Sequence, residues 1–288
     1  MRCRPMGEGR SDLNLRRSTV IAVLFVAVIL ASLAVLVRLF EARLAFFPVT
    51  GETVTPADYG TDYQPLTVET RDGQRLRGWR VRGPEARARI LYFHGNGGNL
   101  SVWAPILTGT ARCGFDLFAF DYRGYGLSTG HPTEQGLYRD VDAIVEQFWA
   151  SPAAPGPVVY WGRSLGVSMA TYAGTIRRPD GLILEAGFPD ARSLIRTSPV
   201  LSVLGLFSTY RFPSREFLKR LDTSVGVLVL HGDDDHVVPL EQGRALFEAV
   251  PTTKQFVLIH GGDHNDASPA EPEKYWGAID EFVGRLKK

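Results

Sequence analysis

"VVYWGRSLGVSMA", residues 158–170, carries an apolar, partly β-branched run into a serine flanked by Gly162 and Gly166, and then into small residues. The G-x-S-x-G spacing alone is weak evidence, and its surroundings decide its meaning. Residues 158–161 read as a short buried strand, and Ser168, Ala170, Ala173 and Gly174 as the close-packing face of a helix. A strand that turns sharply into a helix holds the residue at the turn in a strained conformation, and flanking glycines leave room for neighbouring chains. The side chain at the turn then projects from the end of the sheet. Ser164 is therefore a candidate nucleophile. The backbone N–H of Leu165, at the helix N-terminus, faces any negative charge that develops there.

The same rhythm extends on both sides of this elbow. Apolar runs at 88–93, 115–120, 157–161, 181–185, 225–231 and 255–260 alternate with helix-length segments around 102–111, 133–148, 166–176, 240–249 and 272–286. Fully apolar strands separated by helices are the sequence form of a mostly parallel sheet covered on both faces, an α/β fold. Ahead of them, "LTVETRDGQRLRGWRV" (66–81) alternates apolar and polar residues about Asp72-Gly73, the turn dipeptide of a two-residue hairpin that opens the sheet. Residues 188–222 break the rhythm and include "SPVLSVLGLF" (198–207). That segment reads as a small helical insert covering one end of the sheet.

A serine hydroxyl is a poor nucleophile at neutral pH, so it needs a base, and the base needs an acid to hold its tautomer. Of the six histidines, His236 and His264 follow the elbow in loops after strands. His264, in the polar, glycine-rich "HGGDHNDAS", is the candidate base. His260 reads as a strand-end residue and His231 as packing beneath its turn. The acid comes from "HGDDDHVVP", which offers Asp233, Asp234 and Asp235. The chain order Ser, Asp, His is that of α/β-hydrolases and of neither chymotrypsin nor subtilisin. Acyl transfer also needs oxyanion donors. "YFHGNGGNLS" (92–101) follows a strand and precedes a helix, and the backbone N–H of Asn96 or its neighbour, with that of Leu165, supplies them. The spacings of a phosphate-binding glycine loop are absent from it.

At 288 residues, 44% hydrophobic and 22% charged, the chain is long enough for one large α/β domain. A formal net charge of +1 gives no electrostatic case for nucleic acid. Two cysteines, Cys3 and Cys113, are too few for a disulfide framework or a cysteine metal site, and Cys113 is expected as a small buried hydrophobe. No metal or cofactor is called for.

The N-terminus departs from this composition. Residues 20–37, "VIAVLFVAVILASLAVLV", hold no charge, and 18 residues of helix cover roughly 27 Å, close to the thickness of a bilayer core. Arg2, Arg4, Arg10, Arg16 and Arg17 precede the run, whereas Arg38 and Arg43 follow it closely. The positive-inside bias places the N-terminus in the cytoplasm and the rest across the membrane. A cleaved signal peptide with a site at Ser32-Leu33-Ala34 is disfavoured because the apolar run continues past it. The expected organisation is a cytoplasmic segment (1–19), a single transmembrane helix (20–40), a juxtamembrane connector (41–63) and a catalytic domain (64–288) with the insert at 188–222.

"FHGNGGN", "DYRGYGLSTG" (121–130), "GRSLG", "HGDDDHVVP" and "GGDHND" stand in the order and approximate spacing of the α/β-hydrolase superfamily. The set resembles the membrane-anchored α/β-hydrolase-domain proteins related to fungal bud-emergence proteins and animal protein depalmitoylases, often labelled serine aminopeptidase-like. The resemblance runs from Ala42 to the C-terminus. It implies a serine hydrolase, aligns the acid with Asp235 and the base with His264, and puts Asp263 where relatives have glycine. "AGFPD", after Glu185, also differs from the relatives' "SPF" or "APF". Tyr125 is expected to support a loop. The function this implies is cleavage of carboxylic esters or thioesters, of lipid or acylated substrates, through an acyl-enzyme. Two alternatives are a serine peptidase on the same triad and a non-catalytic receptor or scaffold at the membrane. Dehalogenase and epoxide hydrolase chemistry would place aspartate at the elbow, where serine stands.

Overall fold

Side chains that point alternately into two buried layers explain why the apolar runs become central strands. The structure, a computed structural model, describes residues 8–152, 155–197, 202, 205–265 and 270–286. In strand β4 (Ala88–Phe93), Ile90 and Tyr92 join one core cluster while Leu91 and Phe93 join the other. The two clusters lie on opposite faces of the sheet, so every residue of such a strand is buried. The same holds for β6 (Phe115–Phe120), β7 (Val158–Arg163) and β8 (Gly181–Glu185).

With β2 (Tyr63–Glu69), β3 (Arg75–Arg82), β9 (Gly226–Gly232) and β10 (Lys254–Ile259), these form an eight-stranded sheet in the order β10-β9-β8-β7-β4-β6-β3-β2. All pairs from β10 to β6 are parallel, and β3 pairs antiparallel with both β2 and β6. Helices α3 (Glu134–Ala150) and α4 (Leu165–Ile176) place Leu137, Val141, Ile144, Phe148, Met169 and Ala173 in one cluster. Helices α2 (Leu100–Arg112) and α8 (Pro272–Arg285) place Ala104, Leu107, Tyr275 and Ile279 in the other. Asn99 caps α2, its side chain accepting from the N–H groups of Ser101 and Val102, and Thr133 caps α3. Helix α7 (Leu240–Glu248) connects β9 to β10.

The insert contributes two short helices, α5 (Ala191–Ile195) and α6 (Ser214–Leu218), and Phe212, Phe217, Leu218 and Leu221 join the α3–α4 side of the core. The rest of "SPVLSVLGLF" lies mostly outside the described residues.

Helix α1 (Glu8–Ala45) contains the N-terminal apolar run, and Arg16–Ala45 is long and apolar enough to cross a membrane. It is helical beyond residue 40. The chain then forms a two-residue strand β1 (Phe47–Pro48), paired parallel with β5 (Gly97–Gly98), and a 3-10 turn at Pro56–Tyr59.

Two expectations are corrected. The hairpin loop is longer than two residues: Thr70 N–H bonds Gln74 C=O, and Gly73 N–H bonds Thr70 C=O with Gly73 at φ 79°. A turn followed by a left-handed glycine is the alternative short connection, and Thr70 Oγ1–H donates to Asp72 inside it. Cys113 is exposed rather than buried. It is the C-cap of α2, past the helix's apolar stripe, before Gly114 at φ 85°.

Candidate active site

All the candidate residues sit beyond the C-terminal ends of parallel strands, where an open α/β sheet leaves its crevice. β7 ends at Arg163, and Ser164 follows at φ 54°, ψ −119°, immediately before α4. A side chain at positive φ is strained. Here the backbone is held: Ser164 N–H donates to Glu185 C=O at 2.9 Å and its C=O accepts from Val167 N–H at 3.0 Å. The flanking glycines are required by space. A Cβ on Gly162 would stand 2.3 Å from Gly166 O, and one on Gly166 would stand 2.0 Å from Phe93 O.

The three aspartates of "HGDDDHVVP" each face a different histidine. Asp233 meets His260 at 2.8 Å and Asp234 meets His236 at 3.4 Å, and all four residues are wholly or partly open to solvent. Asp235 is buried and its Oδ2 lies 2.8 Å from His264 Nδ1. His264 Nε2 lies 3.0 Å from Ser164 Oγ. The other oxygen of Asp235 accepts the N–H groups of Val237 and Val238 at 2.9 and 2.7 Å. Burial alone would raise the Asp235 carboxyl; the His264 hydrogen bond and charge, with the Val238 N–H, outweigh it and hold the group below the ordinary aspartate value. Beneath it, His231 is buried with Nε2 at 2.8 Å from Val238 C=O, and burial lowers its pKa. Asp263 Oδ1 accepts the N–H of His264 itself at 2.6 Å.

A network that sequence reasoning missed supports this arrangement from below. Arg163, almost wholly buried, donates from Nη2 to His264 C=O at 2.8 Å, and its Nη1 lies 3.6 Å from Glu185 Oε1. Glu185 Oε2 accepts Trp161 Nε1–H and Tyr275 O–H, each at 3.0 Å. Burial pushes the Tyr275 phenol well above its usual value, so it remains a donor. The elbow and the histidine loop thus share one buried charge pair. The available signal was a charged residue closing an apolar strand, Glu185 in "GLILE" and Arg163 in "VVYWGR".

The oxyanion candidates adjoin the serine. Leu165 is the first residue of α4, so its N–H has no intrahelical acceptor. Gly95 is close enough that a Cβ on it would stand 3.5 Å from Ser164 Cβ. Asn96, next in the chain, has its C=O and Oδ1 bonded by Tyr125 O–H at 2.9 and 3.0 Å, the loop-supporting part expected of that tyrosine. Below the loop, buried His94 lies with Nε2 3.6 Å from Asp121 Oδ1. Burial lowers His94 to about 4 and raises Asp121 to about 8, so both are neutral at pH 7. Among the described residues, no three His, Cys, Asp or Glu side chains converge as donors for a metal.

Residues 84–226 match the family model described as serine aminopeptidase, S33. The chain is 31% identical over 235 residues to the uncharacterised membrane protein YNL320W of Saccharomyces cerevisiae, covering 80% of this chain and 82% of that one. It is 31% identical over 239 residues to the protein bem46 of Schizosaccharomyces pombe, covering 80% and 79%. Among solved structures it is similar to the esterase Pf2001 of Pyrococcus furiosus, with a TM-score of 0.68 at 17% identity, over 85% of this chain and 98% of that one. The elbow, the parallel sheet around it and these relatives agree, and the chain belongs to the hydrolases of the α/β fold of the bem46-like type.

Proposed function

We propose that the protein is a serine hydrolase that cleaves carboxylic esters or thioesters of lipid or acylated substrates through an acyl-enzyme. The observation that carries the reading is the continuous chain Asp235–His264–Ser164, with links of 2.8 and 3.0 Å, ending on the strained elbow. Ser164 Oγ attacks the acyl carbonyl while His264 Nε2 takes its proton. Asp235 fixes Nδ1–H and stabilises the imidazolium that forms. The N–H groups of Leu165 and Asn96 receive the oxyanion. His264 then protonates the departing alcohol or thiol, and the same histidine activates water to release the carboxylic acid. The hydrolase family and the esterase described for the P. furiosus neighbour support this chemistry.

The N-terminal helix serves as the anchor in this reading, with residues 1–19 in the cytoplasm and the catalytic domain on the other side. A tether concentrates the enzyme where acylated substrates partition. The family description as a serine aminopeptidase favours a second reading, peptide hydrolysis by the same residues.

Membranes carrying wild type and Ser164→Ala are labelled with a fluorophosphonate and assayed on esters graded by acyl length, thioesters and aminoacyl amides. Labelling and turnover are expected only in the wild type, with esters and thioesters ahead of amides. Wild-type turnover in a folded Ser164→Ala variant would reject the mechanism, and preference for amides would favour the peptidase.

A further inference from the structure

The end of α1 is bonded both to the insert and to the loop after β4 that adjoins the elbow. Most of the apolar run is open to its surroundings, but Val37, Glu41 and Phe46 are buried. The Glu41 carboxylate accepts from Ser208 O–H, from Thr209 N–H at 2.7 Å, from Thr209 Oγ1–H at 2.6 Å and from Tyr210 N–H at 3.3 Å. One side chain therefore holds three consecutive residues of the insert. Phe46 packs edge-on against Tyr210 and Phe212, with ring centroids 5.4 and 6.1 Å away.

The same segment grips the candidate oxyanion loop. Ala45 C=O, in the last turn of α1 where carbonyls lose their helical partners, accepts from Asn96 Nδ2 at 2.7 Å. Phe47 and Pro48 pair with Gly97 and Gly98, and Val49 N–H bonds Gly98 C=O at 2.9 Å. Asn99 Nδ2 donates to Val49 C=O and Gly51 C=O at 3.1 and 2.8 Å. The loop needs such restraint, because Gly95, Gly97 and Gly98 give it little stiffness of its own, and Gly98 stands at φ 81°. An oxyanion donor acts only within about 2.7–3.1 Å of the developing charge, and a 1 Å misplacement can cost about a hundredfold in rate.

We infer that residues 41–49, the end of the N-terminal helix and the strand after it, are a positioning element of the active site that sets the Asn96 loop and the insert together. The anchor is then part of the machinery as well as a tether. This rests on the acyl-transfer reading above.

The test uses the full chain in detergent micelles with a short, water-soluble p-nitrophenyl ester, so that membrane delivery of substrate plays no part. Glu41→Ala and Asn96→Ala are expected to lower kcat by about tenfold to a hundredfold. KM should stay within about threefold, and the rate of fluorophosphonate inactivation should fall in proportion to kcat. A merely destabilised fold would lose active-site titre without lowering the turnover of each titrated site. Where Glu41→Ala does not fold, Thr209→Val and Asn96→Ala decide in its place. Wild-type kcat in these variants, with Ser164→Ala inactive, overturns the inference and leaves the acyl-transfer reading standing. Full activity in Ser164→Ala removes that reading and the inference with it.

Discussion

Ser164 illustrates a residue whose local cost is tied to its position. At φ 54° a side chain costs about 1–3 kcal/mol that glycine does not pay. Ser164→Gly is accordingly expected to be more stable than Ser164→Ala by about 1 kcal/mol, a gain of a few degrees in melting temperature, with both variants inactive. Equal melting temperatures would mean that the elbow is unstrained. Asp235 offers a sharper chemical test. Asn at this position can keep an oxygen on the Val237 and Val238 N–H groups, which puts its NH2 toward His264 Nδ1. That favours the tautomer with the proton on Nε2, facing the serine. Asp235→Asn should lower kcat by about 10^4 with little loss of stability; retention of more than a tenth of wild-type kcat would remove Asp235 from its role.

The loops after β4 and β6 meet through His94 and Asp121, and their protonation links the elements to pH. Asp121, raised to about 8 from 3.8, keeps in the folded chain a proton that the unfolded chain has lost above that lower value. Its contribution therefore falls as pH rises toward 8. His94, lowered to about 4 from 6.5, refuses in the folded chain a proton that the unfolded chain binds below 6.5. Its contribution falls as pH drops from 6.5 toward 4, so the two slopes oppose and nearly cancel there. Between 6.5 and 8 Asp121 acts alone. Stability should fall by at most about 1.4 kcal/mol per pH unit in that window. Asp121→Asn keeps the bond from Leu100 N–H and should flatten the slope, as followed by melting temperature across pH. An unchanged slope would mean that Asp121 is ionised in the folded protein.

For the whole molecule, the arginine imbalance around residues 20–37 and the docking of the helix's last turn onto the domain make a joint prediction. Protease added to sealed vesicles should cleave the domain only from the non-cytoplasmic face, leaving an N-terminal fragment of about the span protected. Cleavage of the domain from the cytoplasmic face alone would reverse the topology. With the N-terminal helix as the proposed anchor, the bonds from residues 41–49 to the insert and to the Asn96 loop would hold the site close to the membrane surface in either orientation.

The sequence by itself determined the alternation of strands and helices, down to matching bounds for β4, β6 and β8, because predominantly apolar strands and amphipathic helices are written locally in residue spacing. It also singled out Ser164, His264 and the run Asp233 to Asp235 through turn chemistry and chain order, and within that run Asp235 was favoured by the resemblance to relatives. Only the tertiary structure decided which aspartate of the run meets which histidine, since neighbours in sequence point to different partners. It alone showed the Arg163–Glu185 pair under the histidine loop and the grip of Glu41 on residues 208–210. These are contacts between segments far apart in the chain, and no local pattern encodes them: a buried carboxylate is explained only by the donors that packing brings to it.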